Sequence, residues 1–458
     1  MFRKEFVNRE RELGFLNKRY NGKGFEFIII SGRRRTGKSR LLKEFARGKE
    51  NIFLLCEKRK WQYNLSRFNA ILGKYFDIPN PNFNSFSECF EFIAKQQKKR
   101  LIVVIDEFSY LIKKSDIIAE FQTIVDEILP ESEMMLILSG SAVSMMKKRV
   151  LGHTSPLYGR STGQIFLQPL RFKDLFAWFP GMEIEDLVKI FGVCDGIPKY
   201  LEFFNGEDVE GEIKVNLFSP ESFLFRETKS LLDEELREPE TYFQVLEAIS
   251  LGYTKVVEIA NYSYMKAKDI SSYLSILEDI GFVKREYSIL DRRRKRGIYG
   301  IKDNFFRFWF RFISRHFSEI EVWEIEGAWS DFNRDFDSHL GSVFERVARE
   351  FLIERKPFEF QRIGRWWHRD KEIDLVALNE ETKEIGFFEV KWASLSQREA
   401  RKILEELKER SRSVKWHSGD RKEFFGIIAK RINGKEKLRD DGLFCYDLED
   451  LETQPKIL

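Results

Sequence analysis

Three groups of residues have the types and spacing to do chemistry. The first is Gly32-Arg33-Arg34-Arg35-Thr36-Gly37-Lys38-Ser39. Glycines at 32 and 37 let the backbone curl so that successive N–H groups and a helix N-terminus face phosphate oxygens. In this pattern Thr36 belongs to the loop, Lys38 bridges β- and γ-phosphates, and Ser39 gives its hydroxyl to Mg²⁺. The second group, Asp106-Glu107, closes the apolar run Leu101–Ile105. Asp106 suits a metal held through water, and Glu107 suits orienting and deprotonating the water that attacks a γ-phosphate. ATP or ADP with Mg²⁺ is therefore the expected cofactor, and ATP hydrolysis the expected reaction.

The third group is Asp374 with Glu389-Val390-Lys391. Glu372–Leu378 and Ile385–Lys391 read as strands joined by the polar turn Asn379-Glu380-Glu381-Thr382-Lys383, which predicts a hairpin. Glu389 and Lys391 share a strand face, and Asp374 can join them from across the hairpin. A carboxylate pair of this kind would bind Mg²⁺, with the lysine orienting water or stabilising charge on a scissile phosphate. A salt bridge between strands would use the same residues.

These groups need elements to hold them. Phe25–Ile30, Leu101–Ile105 and Met134–Leu138 are buried-strand runs separated by helical patterns, Ser39–Arg47 and Ser115–Leu129 among them, which implies a parallel doubly wound sheet. The third strand ends in Ser139-Gly140-Ser141, either a γ-phosphate sensor or a turn of small residues. Thr241–Gly281 carries three helical patterns, and strands at Phe282–Ile289 and Gly297–Ile301 follow, the pattern of a winged helix. The hairpin tip is Arg292-Arg293-Arg294-Lys295-Arg296, which suits a phosphate backbone; the same loop could be solvated or dock on the chain's own ATPase. Six aromatics between Asp303 and Arg315 read as a packing bridge rather than a base-stacking platform. Further on, a helix is expected at Leu340–Ile353, another at Gln397–Glu409, and strands at Phe424–Ala429 and Leu443–Tyr446.

Composition sets the bounds. A chain of 458 residues with 43% hydrophobic content has material for two to four domains. The net charge of +4 says little about nucleic acid, so any basic surface must be local. Cys56, Cys89, Cys194 and Cys445 are too scattered for a zinc site or a disulfide framework, and the five histidines lack ligand spacing. No apolar run is long enough for a bilayer and the first residues are charged, so a cytoplasmic protein without a membrane partner is expected.

Val7-Asn8-Arg9-Glu10, the glycine-rich loop, Val104-Ile105-Asp106-Glu107-Phe108, Leu138-Ser139-Gly140-Ser141 and Gly196-Ile197-Pro198-Lys199-Tyr200 occur in the order seen in the archaeal ATPase family. The chain resembles that family, which is similar to STAND and AAA+ signalling ATPases. The resemblance implies that Asn8 and Arg9 lie near the adenine, that Arg160 senses phosphate, and that the Gly-Ile-Pro element belongs to a helical lid. The C-terminal region is similar to the PD-(D/E)xK nuclease superfamily, and Glu345 stands where that fold often places a further acidic metal ligand. It also looks like the uncharacterised domain commonly fused to archaeal ATPases.

The expected organisation is a P-loop ATPase core at 1–167, a helical lid at 168–238, a winged helix at 239–303, an aromatic linker helix at 304–332 and a nuclease-like α/β domain at 333–458. Expected partners are nucleic acid, DNA ahead of RNA, and a second copy of this chain. The expected function is an ATP-driven switch controlling a metal-dependent nuclease. Two alternatives stand beside it: a nucleotide-dependent DNA-binding regulator with an inert terminal domain, and a defence or toxin-like effector.

Overall fold

A computed structural model describes residues 6–112, 115–294 and 297–452. The chain divides into two units, one running to Leu170 and including Ile197–Tyr200, the other made of Arg171–Gly196 and the chain from Leu201 onward.

The first unit is built on a five-stranded sheet, β1 (Glu26–Ser31), β2 (Asn51–Leu55), β3 (Leu101–Asp106), β4 (Met134–Gly140) and β5 (Gly163–Phe166), in the order β2-β3-β4-β1-β5. All its pairings are parallel. β1 shows why near-continuous apolar runs form this sheet: Phe27 and Ile29 enter one buried cluster, Ile28 and Ile30 the other, so both faces are covered. Two strands escape the sequence reading. β2 is only five residues long, and β5 is a half-exposed edge strand with a polar-apolar mixture. The helix expected at Ser115–Leu129 runs as Ser115–Thr123 and continues as a wider turn over Ile124–Ile128.

In the second unit, helices Pro239–Ser250, Val256–Tyr262 and Ala267–Ile280 precede an antiparallel pair, β6 (Val283–Glu286) and β7 (Ile298–Ile301). The aromatic stretch is core: Phe305, Phe306, Phe308, Trp309, Phe310 and Phe312 are all buried. A thirty-residue helix, Glu326–Arg355, then leads into a second sheet, β8 (Arg362–His368), β9 (Lys371–Asn379), β10 (Glu384–Leu395), β11 (Lys422–Ile432) and β12 (Phe444–Tyr446). Its order is β12-β11-β10-β9-β8. β8, β9 and β10 are antiparallel neighbours, whereas β10, β11 and β12 run parallel, with helix Gln397–Ser411 making the crossover from β10 to β11. A capping box starts that helix, Ser396 and Glu399 each accepting the other's backbone N–H.

Candidate functional sites

The nucleotide loop forms because β1 ends where no side chain fits. A Cβ on Gly32 would lie 2.6 Å from the Leu167 carbonyl oxygen, whose residue bonds back to Ser31. Gly37, at φ 91°, makes the left-handed turn into helix Lys38–Ala46. Between them Thr36 is buried, its hydroxyl donating to the Arg33 carbonyl at 2.8 Å. Lys38 folds back so that its ammonium donates to the carbonyls of Gly32 (2.8 Å) and Arg33 (2.9 Å).

β4 lies between β1 and β3, so the ends of all three strands converge on this loop. Ser39 Oγ donates to Asp106 Oδ2 at 2.5 Å. Glu107, in left-handed backbone at φ 54°, is held by Ser141: its Oε2 accepts from the Ser141 hydroxyl (2.6 Å) and backbone N–H (3.2 Å). Ser139 Oγ, opposite Ile30 in the β1–β4 register, is buried and finds no hydrogen-bond partner among the described residues. A hydroxyl and a carboxylate within bonding distance at a helix N-terminus, beside an orphaned hydroxyl, fit a phosphate-bound Mg²⁺. Ser39 and Asp106 would hold it, and it would neutralise phosphate charge.

Arg9, at φ 88°, is nearly buried; its guanidinium donates to the carbonyls of Thr36 (3.3 Å) and Gln168 (2.7 Å), and its own N–H donates to Asn8 Oδ1 (2.6 Å). The Asn8-Arg9 turn is thus clamped to the nucleotide loop. Pro198 lies 3.9 Å from where a Cβ on Gly37 would be, so the Gly-Ile-Pro element meets that loop too. Arg160 is placed differently. Its Nε donates to both carboxylate oxygens of Asp126 (2.7 and 2.8 Å) and its Nη1 to the Tyr158 carbonyl (3.4 Å), an exposed ion pair.

The hairpin of β9 and β10 assembles the second constellation. Phe388 opposite Leu375 sets the register, and Val390 N–H donates to Asp374 Oδ2 at 2.8 Å. Lys391 Nζ bonds Glu389 Oε1 at 2.8 Å and lies 4.0 Å from Asp374 Oδ2. Beyond Lys391 the pairing with β11 shifts register and resumes at Ser394, a bulge next to the site. Burial, with Glu389 adding to it, pushes Asp374 up to about 6. Burial opposes the charge on Lys391, but the Glu389 hydrogen bond and carboxylates outweigh it and hold the lysine above its ordinary range.

Glu345 does not complete a three-carboxylate cage. Arg365 engages it at 3.8 Å, and burial pushes its carboxyl up to about 7. Among the described residues, no group of three or more His, Cys, Asp or Glu side chains is arranged to hold a metal ion. Of the set Glu345–Asp374–Glu389 expected from the sequence, Asp374 and Glu389 stand as a carboxylate pair beside cations, with Glu345 engaged by Arg365. One of these, Arg410 at the end of helix Gln397–Ser411, the sequence reading missed: its Nη2 donates to Glu389 Oε2 at 2.7 Å. No local pattern marks it, since the contact spans 21 residues.

The basic hairpin tip is also placed differently from expectation. Where a strand was expected to run to Ile289, β6 stops at Glu286 and the chain turns to cap the edge strand β8. Ile289 N–H donates to the Arg365 carbonyl at 2.9 Å, Trp367 N–H donates to Ser288 Oγ at 3.3 Å, and the Arg362 guanidinium bonds the Ile289 carbonyl. Ile289 is buried in the terminal sheet's core with Trp366 and Ile373. Arg292 lies 3.8 Å from Glu380. Arg293 and Arg294 are exposed, while Lys295 and Arg296 lie outside the described residues. Covering an edge strand satisfies its free backbone groups.

The parallel sheet and its loop define a P-loop NTPase-like domain, followed by a separate sheet domain. Residues 6–204 match the family model described as an ATPase domain predominantly from Archaea, and residues 309–403 match one of archaeal and bacterial proteins of unknown function. An uncharacterized protein of Methanocaldococcus jannaschii is 40% identical over 457 residues, covering 97% of this chain and 99% of its own. The chain belongs to this archaeal ATPase family. An uncharacterized ATP-binding protein of the same organism is 47% identical over 45 residues, 10% of this chain and 76% of its own. Among solved structures, the Walker-type ATPase of Pyrococcus abyssi is similar over 68% of this chain and 97% of that one, with a TM-score of 0.52 and 21% identity, a likeness of fold. No helix of the described residues is long and apolar enough to cross a membrane.

Proposed function

We propose that this protein is an ATP-binding and hydrolysing switch of the STAND type whose nucleotide state controls the C-terminal domain's action on nucleic acid. The observation that carries the reading is the Lys38, Ser39–Asp106 and Glu107–Ser141 arrangement around one loop. Lys38 would exchange two loop carbonyls for phosphate oxygens. Glu107 would leave Ser141 to take a proton from the attacking water, and Ser139 would supply its buried hydroxyl to the γ-phosphate. Arg9, bonded to the Thr36 carbonyl, would hold the loop's shape.

Coupling would follow the chain from Pro198, beside Gly37, back to Asp195 in the second unit. Asp195 is bonded by Arg346 (2.9 Å) of the long helix that also carries Glu345. The winged-helix reading of residues 239–303 and the nuclease-like reading of the terminal sheet belong to this proposal. In the latter, Asp374, Glu389 and Lys391 face the scissile phosphate. Capping of β8 by residues 288–289 favours the wing as a docking element within the chain, leaving Arg293 and Arg294 to reach DNA.

The test is ATP turnover together with cleavage of single- and double-stranded DNA and RNA in Mn²⁺, for wild type, Lys38→Ala and Asp374→Ala. The proposal expects turnover lost in Lys38→Ala, cleavage lost in Asp374→Ala, and cleavage that responds to ATP only in wild type. A regulator whose terminal domain binds without cutting is the second reading, favoured by the cations on both oxygens of Glu389. ATP turnover with no cleavage of any substrate would decide for it.

A further inference from the structure

Carboxylates of the terminal sheet and of helix Glu326–Arg355 are met by cations of the same chain. Glu345, Glu372, Asp374 and Glu389 lie among Arg307, Arg365, Lys391 and Arg410. Those cations offset the negative charge that would draw in a divalent ion. Glu389, 4% exposed, has both oxygens taken: Oε1 by Lys391 at 2.8 Å and Oε2 by Arg410 at 2.7 Å. Arg410 is fixed at its other end as well, Nη1 donating to the Glu372 carbonyl at 3.1 Å on β9. Its guanidinium therefore bridges β9 and β10 from the crossover helix, across the strands that carry Asp374 and Glu389. A hard divalent cation takes six or more oxygen ligands, and these residues as arranged do not fit one.

We propose that Arg410 is a stopper, an internal guanidinium that takes the place of a divalent cation on Glu389 and keeps the terminal domain metal-free while it stays bound. The inference rests on the nuclease-like reading of this domain and specifies how that site is kept closed. Arg suits the task because its planar fork meets a carboxylate and a carbonyl at once and does not lose its charge. Lys391 neighbours Glu389 on the same strand and moves with it, whereas Arg410 arrives on a separate helix. Displacement of that helix end is therefore what separates the closed site from an open one.

The test counts Mn²⁺ bound to the nucleotide-free full chain by electron paramagnetic resonance, for wild type, Arg410→Gln and Arg410→Gln/Glu389→Gln. The stopper expects Arg410→Gln to hold an additional Mn²⁺, with affinity raised about tenfold or more, and the double variant to lose it. Equal binding by wild type and Arg410→Gln overturns it, as does extra binding that survives Glu389→Gln. If Arg410→Gln fails to fold by circular dichroism, Arg410→Lys, which keeps the charge but not the fork, is expected to bind Mn²⁺ between the two; no gain there overturns the stopper. The underlying reading fails separately: Arg410→Gln that holds Mn²⁺ but cuts neither DNA nor RNA leaves the stopper intact and removes the nuclease. Wild type that binds Mn²⁺ tightly and cleaves does the reverse.

Discussion

Replacing Arg346 by alanine should loosen the second unit at a residue held in strained backbone, Asp195. Asp195 ends helix Ile184–Cys194 at φ 53°, ψ −156°, a conformation normally left to glycine. Its fully buried carboxylate accepts from Arg346 Nη1 at 2.9 Å, Asn304 N–H at 3.1 Å and Gly196 N–H at 2.8 Å. Burial alone would raise its pKa, but the Arg346 charge and these hydrogen bonds hold it below the ordinary carboxylate range. Removing one partner of a buried pair costs about 3–5 kcal/mol. Two backbone donors remain on Asp195 and the Arg346 side chain is 35% exposed, so solvent screens the pair and the expected loss falls below that range, about 2 kcal/mol. Urea unfolding at pH 7, followed by tryptophan fluorescence, measures it in the transition of the second unit. Arg346→Lys should lose less, because a charge remains. The sign with pH follows from the depressed folded value: Asp195 stabilises the fold above the unfolded carboxylate range and stops doing so as pH falls through its folded pKa. The gap between wild type and Arg346→Ala should therefore close on acidification. A loss below about 1 kcal/mol at pH 7, or a gap that widens in acid, would refute the argument.

The other predictions concern the nucleotide site, the capped edge and a buried histidine. Glu107→Gln should retain ATP binding and lower turnover about 100-fold or more, the scale of removing a general base, as measured by phosphate release and by nucleotide binding in parallel. Ile289→Ala should cost about 2 kcal/mol and raise hydrogen exchange along β8, because Ile289 is a core residue of the terminal sheet as well as its edge cap. His339 is fully buried among Phe308, Phe312 and Phe336, with Nε2–H donating to the Gly192 carbonyl at 2.8 Å, and burial pushes it down to about 3. The unfolded state then takes up a proton that the folded state refuses, so stability should fall by about 1.4 kcal/mol per unit as pH drops below the ordinary histidine range. His339→Phe should flatten that slope.

The nucleotide loop is legible in the sequence because its chemistry is local: two glycines, a lysine and a hydroxyl within eight residues, between a strand and a helix. The hairpin of Asp374 and Glu389 is nearly as legible, since two apolar strand runs joined by one polar turn set its pairing. What the sequence hides are contacts made by one long side chain over a large separation. Arg410 reaches Glu389 across 21 residues and Arg346 reaches Asp195 across 151, and nothing local distinguishes either arginine from the many exposed ones. The hairpin tip is ambiguous for a related reason. A run of arginines is compatible with a phosphate-binding, a solvated or a docked loop, and what decides its placement is the preceding Ser288-Ile289, which bonds the backbone of β8 and leaves Arg292 3.8 Å from Glu380.

If nucleotide state reaches the terminal carboxylates as proposed, hydrogen exchange at the Val390 amide responds to it. That N–H is bonded to Asp374 Oδ2 and reports whether the pair is intact. Full-length wild type and Lys38→Ala would be compared with ADP and with a non-hydrolysable ATP analogue. With the proposed coupling, β9, β10 and helix Gln397–Ser411 should exchange at different rates in the two nucleotides for wild type and at one rate for Lys38→Ala. Identical exchange in both nucleotides for wild type, with nucleotide binding demonstrated, would contradict it.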